Sequence, residues 1–276
     1  MLALAACDPT IHLGAEAVDE AGASDARSSF DGSSEDASLL VDGTGPVDGS
    51  ASVIWSSSFE NGTFSEWDGD GQGKEFFSAN TSLSVSTEQA HSGTQSAKLT
   101  IDPNNGIVED IYLFRGIAGA PAANAEAYYG AWFFIPQRYV EPFYWNIFHF
   151  LDGASVDRDS LGSIWDVDLR SSTDTGELVP YVYDYLGRLQ RTEDTPRAVP
   201  IGKWFHLEVL VRLAADDTGR FAIWQDGVLV FDVENVMTSM TPWIQWAVGS
   251  TSTDLMPSPA DLYIDDVTLS SSRVGP

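Results

Sequence analysis

The chain has 276 residues, of which one is cysteine and three are lysine, and each shortage excludes something. With Cys7 as the lone thiol no internal disulfide can form, so the fold must be held by burial and hydrogen bonding. Fourteen basic residues stand against 41 acidic ones, a formal net charge of −27. That charge repels phosphate backbones and anionic head groups, which excludes nucleic acid as a partner and leaves a membrane approachable only through a covalent anchor. No apolar run is long enough to span a bilayer. No stretch keeps a helical period over many turns. What remains is a folding composition, 43% hydrophobic and 12% aromatic, with nine Trp and nine Tyr.

The single cysteine sits in "LALAAC", and Leu4, Ala5, Ala6 and Cys7 resemble the lipobox of bacterial lipoproteins. The resemblance implies cleavage before Cys7, a diacylglycerol on its thiol, and a place in the bacterial cell envelope, facing the surface or the periplasm. It also implies a reading frame that starts further upstream, with basic residues and a fuller apolar run. Residues 1–7 are then a signal remnant. Residues 8–51 carry ten acidic residues and one arginine among many Gly, Ser and Ala. Such a segment buries too little apolar surface to offset its ordering entropy and reads as a disordered tether that its like charges extend. The two acyl chains of a diacylated cysteine would suffice for stable attachment.

From residue 52 to 276 the texture changes to short β-rich runs broken by Gly, Pro, Asn and Asp, among them "SVIWSSSF", "DIYLFRG", "AYYGAWFFIP", "YWNIFHFL", "SIWDVDLR", "WFHLEVLVRLA" and "DLYIDDVTLS". Thirteen such runs without helical segments between them predict one all-β domain, a two-sheet antiparallel sandwich. Asp226-Gly227 suits a two-residue hairpin turn.

Side-chain alternation places residues on faces. In "YWNIFHFLDG" it puts Trp145, Ile147, His149 and Leu151 on one face and Asn146, Phe148 and Phe150 on the other, so Asn146 and His149 point apart. Asp166, Asp168 and Arg170 share a face and read as an exposed row, opposite Trp165, Val167 and Leu169. Tyr181, Tyr183 and Tyr185 also share a face, either a sugar-stacking platform or a core wall. His206, alternating with the apolar residues of its run, reads as a solvated surface histidine.

Residues 202–233, with Gly-x-Trp opening a strand and an Asp-Gly hairpin later, resemble laminin G-like domains and heparin lyase-like polysaccharide lyases. "SFENGTFSEW", "AHSGTQSAKLTI" and "DLYIDDVTLS" resemble the jelly-roll carbohydrate-binding modules of families 4 and 9. Together they imply a concanavalin A-like jelly roll whose partner is a polysaccharide, acting as a monomer. The binding-module resemblance implies a site of aromatic plates and polar groups, for which Trp145, Asn146, His149, Tyr183, Tyr185, Trp224 and Gln245 are the candidates, with Trp165 and Trp246 as further aromatics. It also implies a structural Ca²⁺ held by Glu60, Asp265 and Asp266. The lyase resemblance implies β-elimination on a uronic-acid polymer, with His149 or Tyr183 as base and Arg115 or Arg170 facing the substrate carboxylate. A Gln-x-His pair common in those lyases is not reproduced. Surface-anchored carbohydrate binding is therefore the first expectation, a polysaccharide lyase the alternative, and a laminin G-like protein adhesion module the third.

Overall fold

The computed structural model describes residues 53–67, 76–103, 107–116, 126–141, 143–153, 161–186, 189–191, 197–240 and 244–276. The chain divides into Met1–Val41 and Asp42–Pro276, and all described residues belong to the second unit. The lipobox, Cys7 and the tether lie outside them.

Fifteen strands follow in chain order: β1 (Val53–Ser57), β2 (Phe76–Phe77), β3 (Thr81–Ser86), β4 (Ser96–Ile101), β5 (Glu109–Gly116), β6 (Glu126–Phe134), β7 (Trp145–Gly153), β8 (Leu161–Ser171), β9 (Leu178–Asp184), β10 (Leu189–Arg191), β11 (Trp204–Arg212), β12 (Gly219–Gln225), β13 (Val228–Val236), β14 (Ile244–Ser252) and β15 (Ala260–Ser270). No helix occurs among the described residues. Two antiparallel sheets result. The back sheet runs β13-β12-β11-β6-β15-β4-β3, with β1 also on β15; the front sheet runs β10-β9-β8-β7-β14-β5-β2. This is the expected all-β sandwich of jelly-roll type. The predicted hairpin is present, with Asp226 and Gly227 both at positive φ, the conformation a two-residue turn requires.

The core lies between the sheets and is largely aromatic. Trp246 of the front sheet meets Tyr129 of the back sheet edge-on at 5.1 Å, Phe148 meets Phe133 at 5.3 Å, and Trp165 stacks on Phe221 at 4.6 Å. Offset and edge-on pairs of this kind add to the burial of their large apolar areas. Trp145 belongs here too. It is 0% exposed and donates its indole N–H to Ser250 Oγ at 2.9 Å, so it is no open sugar plate. Trp165 and Trp246 are core residues for the same reason.

The outer face of the back sheet is covered around His206, which overturns the reading of that residue. That residue is 2% exposed, and burial, its largest influence, pushes its pKa down to about 4. Two segments lie over it and its neighbours. The loop after β3 stacks His91 on Trp132 with ring centroids 3.7 Å apart. The segment after β15 is held by Glu208, which accepts Arg273 Nε at 3.1 Å and Val274 N at 2.7 Å, while the Arg273 guanidinium sits 4.6 Å over Trp224. Trp224 is thus capped, on the opposite sheet from His149. Strand alternation reports which way a side chain points, not what later folds over it.

The acids expected to bind calcium hold the same loop. Glu60 accepts Thr94 N at 2.9 Å and Gln95 N at 2.8 Å. Asp265 accepts His91 N at 2.8 Å and Asp266 N at 2.8 Å. Asp266 contacts His91 Nδ1 at 2.7 Å and accepts Ser92 Oγ at 2.8 Å. Among the described residues no three His, Cys, Asp or Glu side chains are grouped to hold a metal ion.

Candidate active site

The outer face of the front sheet carries the titratable side chains. Registers across four strand pairs place Tyr183, Asp166, His149, Ala247 and Phe114 in one row, and Tyr181, Asp168, Asn146, Thr251 and Asp110 in the next. Asn146 and His149 are three apart, yet both face outward. Asn146 pairs with Asp168 and Phe148 with Val167, so Ile147 is an extra residue in β7; β14 carries its own shift between Val248 and Thr251. A bulge resets alternation. Ile147 and Phe148 both enter the core, and Asn146 Nδ2 comes to 3.3 Å from His149 Nδ1. The expectation of opposite faces fails for this reason.

His149 Nδ1 also lies 3.0 Å from Asp166 Oδ1. The contact is an ion pair when the imidazole is protonated. A carboxylate at this distance favours the charged imidazole over the neutral one. The other Asp166 oxygen accepts the Tyr185 hydroxyl at 2.8 Å. Burial alone lowers the pKa of His149, but the charges of Asp166, Asp168 and Asp110 outweigh it and hold the value above the ordinary one. Asp166 and Asp168 are 3% and 4% exposed. The row read from sequence as exposed is real in its sidedness and wrong in its exposure.

Tyr112, on the neighbouring β5, tilts toward His149 with centroids 5.3 Å apart, and Thr251 donates to its hydroxyl. Its ring occupies the space above Gly249, where a Cβ would lie 2.3 Å from Tyr112 Cδ1 and 2.3 Å from the Ile111 carbonyl oxygen. Burial raises the pKa of Tyr112, and of Tyr144, Tyr181 and Tyr185. These phenols stay protonated at neutral pH. Tyr181, Tyr183 and Tyr185, in and just after β9, form a platform and no core wall: Val182 between the first two is buried, whereas Tyr185 is 44% exposed and meets Tyr183 at 4.4 Å. Arg170 lies 3.8 Å over the Tyr181 ring and 3.6 Å from Asp168.

Other candidates fall elsewhere. Arg115 shares the alternation of Ile111 and Leu113, both core residues, and its guanidinium sits 5.5 Å over Trp55, away from His149. Gln245 lies on β14, two residues before Ala247, which pairs with His149. The structure adds three residues that the sequence did not single out. Tyr112 was detectable as a polar-tipped side chain alternating with Ile111 and Leu113. Tyr144 neighbours Asp168 and Asp110 through their charges. Glu141 had no signal in its loop; it accepts Ser171 N at 3.0 Å.

Asp168 gives a pH test of this geometry. Burial first, and the adjacent Asp166 charge second, push its pKa up to about 7. The folded protein therefore holds this proton more tightly than the unfolded chain. The stabilisation is fully present below about pH 4 and is lost as pH rises through about 7. Asp168→Asn, which has no charge to bury, is expected to raise Tm at pH 8 by roughly 5 °C, with little gain at pH 4. An equal change at both pH values would contradict the buried-charge account.

The comparisons with known proteins agree with this architecture. A glucuronan lyase from the fungus Trichoderma reesei superposes with a TM-score of 0.60 at 18% identity, covering 80% of this chain and 96% of that one. The cellulose-induced protein Cip1 gives 0.54 at 17%, covering 80% and 99%. An alginate lyase of the PL-14 type from Aplysia kurodai gives 0.52 at 11%, covering 82% and 100%. At these identities the likeness concerns the fold. No curated protein sequence matches. The polysaccharide lyase family model, however, matches residues 59–267, a span that takes in both sheets and every residue of the His149 site, and the chain belongs to the polysaccharide lyase family.

Proposed function

We propose that the chain cleaves a uronic-acid polysaccharide by β-elimination on the outer face of the front sheet. The observation that carries this reading is the His149–Asp166 contact set among protonated tyrosines. His149 Nε2 takes the C5 proton of a uronosyl unit. The electron pair left on C5 delocalises into the carboxyl group, whose growing charge Arg170 and the Asn146 amide are suited to stabilise. The pair then forms the C4–C5 double bond as the C4–O bond breaks, and the leaving oxygen takes a proton from Tyr185 or Tyr112. Asp166 stabilises the imidazolium formed. Family membership turns the order of the sequence expectations around: the lyase precedes carbohydrate binding alone, and the β9 tyrosines serve to seat the sugar chain.

The test is a panel of uronate polymers followed by absorbance near 235 nm, about where the conjugated product of elimination absorbs, together with a direct binding measurement. Growing absorbance supports the proposal. Binding without product would favour a carbohydrate-binding module, and protein binding without a glycan response would favour adhesion. The pH profile adds a constraint. Because the folded site raises the pKa of His149, the neutral base is lost on acidification from a higher pH than usual, so kcat/KM is expected to fall below an apparent pKa above about 6.5. A rate independent of pH from 5 to 8 would remove His149 as the base.

For location, we propose a lipid anchor at Cys7 that holds the domain at the bacterial envelope. Detergent-phase partitioning of the expressed protein, lost in Cys7→Ala, tests it.

A further inference from the structure

Elimination adds negative charge to the group beside C5, and the total depends on the form of the acid. When C5 loses its proton, the electron pair moves into the carboxyl group. A free carboxylate then passes from one negative charge toward two, whereas an ester carbonyl passes from none toward one. Only interactions that strengthen in the transition state speed the step, so the cations around the site decide which form it can serve.

Among the described residues those cations are few. Besides His149, the strands β5, β7, β8, β9 and β14 contain two basic side chains, Arg115 and Arg170. Arg115 sits over Trp55, away from His149. Arg170 is shared between Asp168 at 3.6 Å and the Tyr181 ring at 3.8 Å. Arg138, between β6 and β7, donates to the Gly176 carbonyl.

Acids are plentiful on the same face. Its two rows carry Asp166, Asp168 and Asp110, and the charges of all three reach His149. Asp166 and Asp168 are nearly covered, so water and salt screen them poorly. Asp110 accepts the Ser78 hydroxyl. Burial first and the Asp166 charge second push Asp168 up to about 7, which shows how strongly this face resists one more charge. One guanidinium thus stands against three carboxyl groups. It is suited to offset a single developing charge, and a second would stay uncompensated in a place poor in water.

We propose that the site selects uronosyl units whose carboxyl group is esterified, so that the preferred substrate is a uronic-acid polymer in its alkyl-ester form. The inference rests on the lyase reading and narrows it. The group beside Arg170 and Asn146 is the same carboxyl group as before, now neutral. His149 takes the C5 proton, and the electron pair enters the ester carbonyl. The pair then forms the C4–C5 double bond as the C4–O bond breaks, and the ester itself stays intact. Against a free acid the three carboxyl groups act as a repulsive element, of the kind that creates specificity.

The experiment uses polymers of glucuronic, mannuronic and galacturonic acid, each as the free acid and as the methyl ester. Product absorbance is followed at pH 8 with the enzyme-free rate subtracted, on the full chain, on Asp168→Asn and on Asp110→Asn. The wild type is expected to favour the ester of at least one polymer by about tenfold or more in kcat/KM, with the methyl group retained on the unsaturated product by mass. Asp168→Asn removes the partner that holds Arg170, and Asp110→Asn removes a second charge. Each is expected to raise turnover of the free acid and shrink the ratio severalfold. Tm of both variants is measured alongside; if neither folds, the wild-type ratio decides alone. Equal or better turnover of the free acids by the wild type overturns the inference and leaves the lyase reading standing. So does a ratio unmoved in every variant that folds. No product from any polymer overturns both.

Discussion

His149→Ala is expected to lower elimination at least about a hundredfold, and to do so for a reason that the double variant His149→Ala with Asp166→Asn can isolate. The single change removes the base, but it also leaves Asp166, 3% exposed, with the Tyr185 hydroxyl and without its imidazole. Stranding one partner of a buried pair typically costs about 3–5 kcal/mol, so Tm should fall as well. Neutralising Asp166 in the double variant removes the stranded charge. Tm is then expected to recover, while turnover stays at the level of the single variant. Recovery of turnover together with Tm would mean that His149 serves the fold and not the chemistry. A single variant with near-normal rate would dismiss the site outright.

Gly249→Ala is expected to be the most damaging small change in the front sheet. The added Cβ would stand 2.3 Å from the carbonyl oxygen of Ile111 and 2.3 Å from Tyr112 Cδ1. A flexible side chain could yield, but the carbonyl belongs to β5, which pairs with β14 along its whole length. Either the ladder opens or the strand shifts, at a cost of about 3 kcal/mol, roughly 5–10 °C in Tm. Elimination should fall further than stability explains, because Tyr112 would leave its place beside His149. Adding Tyr112→Ala relieves only one of the two collisions, so Tm should recover incompletely. A Gly249→Ala protein melting within a degree or so of the wild type would refute this account.

Much of the site was within reach of strand alternation. Asp166, Asp168 and Arg170 share a face opposite Trp165, Val167 and Leu169 as expected, and Tyr181, Tyr183 and Tyr185, in and just after β9, share another; registers then carry both sets to one side of one sheet. Alternation failed where the ladder slipped. Nothing in "YWNIF" announces that Ile147 is an added residue, since a bulge is decided by how β7 meets β8 and β14 together. It failed again wherever burial came from distant segments: His206 and Trp224 are polar-face residues by pattern, and loops from elsewhere in the chain cover them.

By itself, then, the sequence determined the all-β class, the positions of thirteen of the fifteen strands, the turn at Asp226-Gly227 and the sidedness of most residues, because these follow from local periodicity and local turn chemistry. The tertiary structure alone decided that Asn146 and His149 stand together, that Asp166 and Asp168 are buried beside an imidazole, that Glu60, Asp265 and Asp266 hold the loop after β3, and that Arg115 lies away from the site. Those depend on bulges, on long-range pairing and on desolvation, which are properties of the assembled sheets and of no single stretch of chain.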